Sequence, residues 1–218
     1  MINQKDQTDL FNIISKNLKR NIECYAFGGT AMMFYGYKEE TKDIDILFKT
    51  EEERDEFLSV IKKIGFIENN PIKIYVPEKL KDKHKPLMFV REDYRIDIFV
   101  KKIFKTIISP KMEEDLFAVH EFKDEFTFKV KVLRTEHIVM LKGITERDKD
   151  FADILTIVKK DTTFNWQYLI DEVLWQYKNG DNWVLMDTIK MLHELRKYVF
   201  VEQKYLKLLT KELKVNKK

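Results

Sequence analysis

Leu10, Ile13, Ile14 and Leu18 recur at three- and four-residue spacing, which predicts an opening amphipathic helix over residues 6–19. The pattern then shortens. Cys24-Tyr25-Ala26-Phe27 reads as a buried strand ending at Gly28, and residues 30–35 as a short helix stopping near Gly36. Residues 43–48 form the next expected strand. Residues 51–64 form a helix with Phe57, Leu58, Ile61 and Ile64 on one face, three acids at its positive end and Gly65 as its stop. Extended runs are expected at 72–76 and 87–90. Residues 94–100 alternate strictly, assigning Tyr94, Ile96, Ile98 and Val100 to one face and Arg95, Asp97 and Phe99 to the other. Residues 126–133 make the last expected strand.

From Thr135 the period becomes helical, with segments predicted over 135–144, 149–160, 165–178, 181–199 and 202–214. Two domains are expected: a strand-rich one over 1–134 and a helical one over 135–218. The aromatic residues Trp166, Tyr168, Trp175, Tyr177 and Trp183 are assigned to the helical core.

Composition narrows the class. With 218 residues, 44% of them hydrophobic, the chain has enough apolar material for a sheet domain plus a helical one. Its single cysteine, Cys24, excludes an intrachain disulfide and suits a reducing cytoplasm. No apolar run approaches the roughly 18 residues that span a bilayer, and Met1 to Asp6 is polar, so neither membrane insertion nor secretion is expected. A formal charge of +3 is close to balance, which leaves room only for a local basic patch. With only six glycines in the chain, the pair Gly28-Gly29 stands out.

A glycine pair opening a helix lets backbone N–H groups approach phosphates closely. Asp43 and Asp45, one residue apart on a strand, point to the same face, and Asp97 on another strand can complete a set of hard oxygen ligands. Such a set suits two divalent cations in phosphoryl or nucleotidyl transfer, with Asp97 also placed to take a proton from an attacking hydroxyl. The plainer role for these carboxylates is pairing with Lys42 or Arg95. Thr30 is either a phosphate ligand or a helix N-cap. Four scattered histidines, with no serine or cysteine context, argue against a nucleophilic triad.

The stretches Phe27-Gly28-Gly29-Thr30-Ala31, Thr41-Lys42-Asp43-Ile44-Asp45-Ile46 and Arg95-Ile96-Asp97-Ile98 resemble the DNA polymerase β-like nucleotidyltransferase superfamily. That resemblance implies an α+β fold, a mixed twisted β-sheet with packed helices followed by a C-terminal helical domain. It further implies phosphate contact at Gly28 and Gly29 and ligation of two Mg²⁺ or Mn²⁺ ions by Asp43, Asp45 and Asp97. Where many members carry serine after the first glycine, this chain has Gly29. Leu141-Lys142-Gly143 with residues 147–154 is similar to the abortive-infection AbiEii-type members, which implies nucleotide-binding roles for Lys142 and Asp150, with Asp153 next and Arg147 as a structural partner.

The implied activity is transfer of a nucleoside monophosphate from a nucleoside triphosphate to an acceptor hydroxyl, with release of pyrophosphate. A toxin-like acceptor is an RNA 3′ end, tRNA especially, with a cognate antitoxin as partner. A protein hydroxyl or an aminoglycoside is the alternative acceptor, and a noncatalytic nucleotide- or RNA-binding module is the alternative class. Lys204, Lys207, Lys211, Lys214 and Lys218 share one face of the last helix, which suits either plain solvation or an RNA backbone.

Overall fold

The structure, a computed structural model, describes residues 1–69, 77–145 and 148–215. The run expected at 72–76, Arg147 and Lys218 lie outside them. Two compact units divide the chain: Met1–Phe104 with Asp115–Leu133, and Lys105–Glu114 with Arg134–Lys218.

The first unit opens with β1 (Ile2–Asn3), α1 (Gln4–Ser15), β2 (Ile22–Ala26), α2 (Gly28–Phe34), β3 (Glu40–Thr41), β4 (Ile44–Phe48), α3 (Glu51–Lys63) and β5 (Ile67–Asn69). It continues through α4 (Pro77–Leu80), β6 (Leu87–Arg91), β7 (Tyr94–Val100) and β8 (Lys102–Ile103). After β9 (Thr106–Ile107) and α5 (Pro110–Glu114), which belong to the second unit, it closes with β10 (Leu116–Lys123) and β11 (Thr127–Leu133). The main sheet runs β10-β11-β2-β4-β7-β6-β5, with β11/β2 and β4/β7 parallel and the other pairs antiparallel. This is the mixed sheet with packed helices that the sequence implies.

Local chemistry explains the helix ends. Asn3 and Asp6 form a reciprocal capping box at α1, Thr50 Oγ1 accepts the Glu53 N–H at α3, and Gly65, at φ +96°, turns the chain out of α3. Between helices and sheet lies an aromatic core. Phe11 meets Phe122 and Phe128 edge-on, Phe57 packs on Phe128, and Cys24, Ile44, Ile46 and Ile96 have no exposure. Burial pushes the Cys24 thiol well up from its ordinary pKa, with Glu53 and Glu23 adding to the effect.

Two strand expectations need correction. β10, eight residues long, falls where the sequence predicts no strand; Phe117 and Val119 on its exposed face blur the polar alternation that marks a half-buried strand. In β7 the Asp97 and Phe99 face is as buried as the Ile96 and Ile98 face, because both sides of this central strand are covered.

The second unit holds α6 (Thr135–Thr145), α7 (Asp148–Lys160), α8 (Trp166–Lys178), α9 (Val184–Leu195) and α10 (Gln203–Val215). α6 is buried from Thr135 to Ile144 and packs against α7, α8 and α9. The segment 105–114 straps onto α8. Gln176 accepts the Ile107 N–H and donates to its carbonyl, and Ser109 Oγ donates to Glu172 Oε2 at 2.9 Å. Burial raises the Glu172 pKa, partly offset by its bonds from Gln176 and Ser109. The aromatic assignment also changes: Trp166, Tyr168, Trp175, Tyr177 and Trp183 are only partly buried, and Leu169, Ile170, Val173, Leu185 and Leu192 fill the core.

No described helix is long and apolar enough to cross a membrane.

Candidate active site

β2 delivers the chain to Phe27, which stands at the N-cap of α2 without a side-chain cap, and Gly28 turns it at φ +57°. Only a residue without a Cβ fits there. A Cβ on Gly28 would lie 2.2 Å from Asp45 Oδ2, and one on Gly29 would lie 2.2 Å from Thr41 Oγ1. The glycine turn and the Asp45 carboxylate are therefore packed directly against each other.

Hydrogen bonds fix that contact. The Phe27 N–H donates to the Asp45 carbonyl at 3.3 Å, the Gly29 N–H donates to Asp45 Oδ2 at 3.3 Å, and Thr30 Oγ1 accepts the Asp45 N–H at 2.8 Å. Thr30 has no exposure, and its hydroxyl ties α2 to β4. It is not the N-cap, since α2 begins two residues earlier at Gly28.

The three aspartates converge. β4 and β7 run parallel with Asp45 opposite Asp97, while Asp43 sits just ahead of β4 and accepts a 3.4 Å bond from the Thr41 hydroxyl. Oxygens of Asp43, Asp45 and Asp97 all lie within 4.8 Å of one another. Asp97 is fully buried, Asp43 nearly so and Asp45 half-buried, so the cluster reaches solvent mainly through Asp45.

Arg95 is in contact with two of them. Its Nε donates to Asp97 Oδ1 at 3.0 Å and its Nη2 to Asp97 Oδ2 at 3.3 Å, and Nη2 also pairs with Asp43 Oδ2. The guanidinium thus bridges the first and third acids. Burying carboxylates this close together demands positive charge, and a set of oxygen donors at this separation fits a hard divalent cation such as Mg²⁺ or Mn²⁺. The pairing with Arg95 considered from the sequence and the clustering of the acids are therefore both present. Thr41, which orients Asp43 and packs on Gly29, had no sequence signal beyond its place in the motif.

Lys142 and Asp150 belong to the second unit, where they meet each other. Lys142 Nζ lies 3.1 Å from Asp150 Oδ1 and 2.7 Å from Asp153 Oδ2, and Thr145 Oγ1 donates to Asp150 Oδ2 at 2.5 Å. Lys142 and Asp150 are buried, so this ammonium already has two carboxylate partners.

No protein-family model matches the chain, and no curated protein sequence does. Among solved structures, ANT(2″)-Ia in complex with adenylyl-2″-tobramycin is similar over 81% of this chain and 99% of that one, at 12% identity and a TM-score of 0.50. JHP933 from Helicobacter pylori aligns over 100% of this chain and 97% of its own, at 18% identity and a TM-score of 0.41. The likeness to ANT(2″)-Ia shows a shared fold, the α+β nucleotidyltransferase fold expected from the sequence.

Proposed function

We propose that this protein is a metal-dependent nucleotidyltransferase that moves a nucleoside monophosphate from a nucleoside triphosphate to an acceptor hydroxyl. The observation that carries this reading is the convergence of three aspartate carboxylates, within 4.8 Å of one another, against a glycine turn at the start of a helix. Asp43, Asp45 and Asp97 would hold two Mg²⁺ or Mn²⁺ ions. When bound, the ions supply charge neutralisation at the triphosphate and activation of the acceptor oxygen.

The protein groups do the rest. Asp97, in register with Asp45, takes the proton from the acceptor hydroxyl as its oxygen bonds to the α-phosphorus, a step that requires the Arg95 guanidinium to release one of the two Asp97 oxygens it holds. The bond between the α-phosphorus and the bridging oxygen breaks, and pyrophosphate leaves with that oxygen. Gly28 and Gly29 keep side-chain bulk away from the start of α2, which leaves room there for the β- and γ-phosphates. Lys142 and Asp150 enter this reading as nucleotide contacts through the resemblance to the AbiEii-type proteins, which also supports an RNA 3′ end, tRNA above all, as acceptor and a cognate antitoxin as partner.

A second acceptor class has its own support: the ligand of ANT(2″)-Ia is an adenylylated aminoglycoside, tobramycin carrying the nucleotide at its 2″ position. The test is incubation with each α-labelled nucleoside triphosphate and Mg²⁺ or Mn²⁺, in parallel with total RNA, total protein and an aminoglycoside panel. Label is expected in one acceptor class and lost in Asp43→Asn. Triphosphate binding without label transfer or pyrophosphate release in any arm would instead support the noncatalytic module.

A further inference from the structure

The lysines of the last helix take no part in the chemistry above. Within the second unit, α9 and α10 flank an open groove of about 790 Å³, lined by His193 from α9 and by Gln203, Lys207, Lys211 and Lys214 from α10 around the apolar Leu206. Neighbouring cations are neutralised locally, Lys197 by Glu194 and Lys204 by Glu202. Among the described residues Lys207, Lys211 and Lys214 have no ion-pair partner, and all three are exposed.

Spacing narrows the ligand. Steps of four and three residues set the three lysines about 6 and 4.5 Å apart along the helix axis, in a row and not around a point. A small anion needs converging donors, whereas a row of charges suits a chain of regularly spaced phosphates. The connection between the two helices also carries exposed aromatic rings, Tyr198 at 54% and Phe200 at 85% exposure, three residues from the groove residue Gln203 in the case of Phe200. Charge along the backbone with exposed aromatic rings at one end is the arrangement that binds single strands.

We infer that the α9–α10 groove binds the phosphodiester backbone of a single-stranded polynucleotide, with Phe200 and Tyr198 stacking on its bases. Such binding needs neither triphosphate nor cation, so it stands or falls separately from the transferase reading.

The experiment is fluorescence anisotropy of labelled oligo(U) and oligo(dT) with the full chain, in chelator and without nucleotide, across a salt series. Binding to either strand is expected, and the preferred sugar identifies the source. Replacing Lys207, Lys211 and Lys214 together by alanine weakens binding roughly tenfold or more and makes the logarithmic salt slope shallower by about 2. Phe200→Ala weakens binding with the salt slope unchanged. Lys204→Ala, on the same helix but already paired with Glu202, stays close to the native affinity, and circular dichroism verifies that each variant is folded. Native affinity in the triple variant, or no binding by the native protein at low salt, overturns the inference.

Discussion

Asp45 and Asp97 stand opposite each other in register on the parallel strands β4 and β7. Strands in a sheet lie about 4.8 Å apart and register partners point to the same face, so the two carboxylates are held side by side by backbone pairing. Asp43 joins them from the residue before β4. Conversion of any one of the three to asparagine keeps the shape and removes a charge. Loss of transfer is expected to exceed the roughly 10–100-fold that removal of an outer partner of a metal ligand costs. Label transfer from an α-labelled triphosphate, read beside Mn²⁺ binding by calorimetry, checks it; unchanged transfer in Asp45→Asn would sink the assignment.

Arg95 makes the cluster tolerable without a metal, since its guanidinium bridges Asp97 and Asp43. Arg95→Met therefore lowers the melting temperature of chelator-treated protein, by up to about 3 kcal/mol of stability, the low end for a buried pair because Arg95 is partly exposed. Mn²⁺ is expected to raise the melting temperature more in the variant than in the native protein, because it replaces the missing positive charge. A smaller rise in the variant would mean that Arg95 chiefly orients the carboxylates. Differential scanning fluorimetry with and without Mn²⁺ separates the two.

Gly28→Ala tests the contact between the glycine turn and the acids. The backbone at φ +57° costs an L-residue about 1–2 kcal/mol, and the new Cβ would press on Asp45 Oδ2 from 2.2 Å. Both metal binding and stability are expected to fall. The variant is overfull at one point, so Gly36→Ala, also at positive φ but with no atom within 4 Å of its Cβ, is the control for backbone strain alone.

Lys142→Met leaves Asp150 buried without its ammonium partner, and a stability loss of about 3–5 kcal/mol is expected. The double variant Lys142→Met with Asp150→Leu recovers most of it. If Lys142 or Asp150 also contacts nucleotide, the recovered double variant still shows a raised KM for the triphosphate, and a native KM would assign both residues to structure alone.

Glu172 gives the fold a pH dependence of defined sign. Its folded pKa lies above the unfolded value of about 4.3, so the folded state holds its proton to higher pH. The associated stability is present below that unfolded value and is lost as pH rises through the raised pKa. Glu172→Gln keeps an acceptor for Ser109 and removes the ionisation, so the melting temperature of this variant loses that component of its decline with rising pH. Thermal melts of both proteins from mildly acidic to neutral pH check it.

Much of this protein was legible in the chain because the signals are local. Periodicities placed α1, α3 and the helices after Thr135 close to their observed spans; the strand expected from Asp43 begins one residue later at Ile44, and the helix expected from Thr30 begins two residues earlier at Gly28. A helix stripe or a strand alternation is written within a dozen residues, and so it can be read without partners. What joined Asp97 to Asp45 was different: register between strands about fifty residues apart in sequence is set by packing across the whole sheet. The same holds for β10, whose exposed Phe117 and Val119 hide its period, and for the strap at 105–114, whose place depends on buried polar groups of α8 that no local pattern announces. The sequence by itself determined which residues are the candidates for the chemistry and the elements that hold most of them. Only the tertiary structure decided that three carboxylates share one point and that Arg95 bridges two of them, because charge so close together is tolerated only where the completed fold supplies its counter-charge.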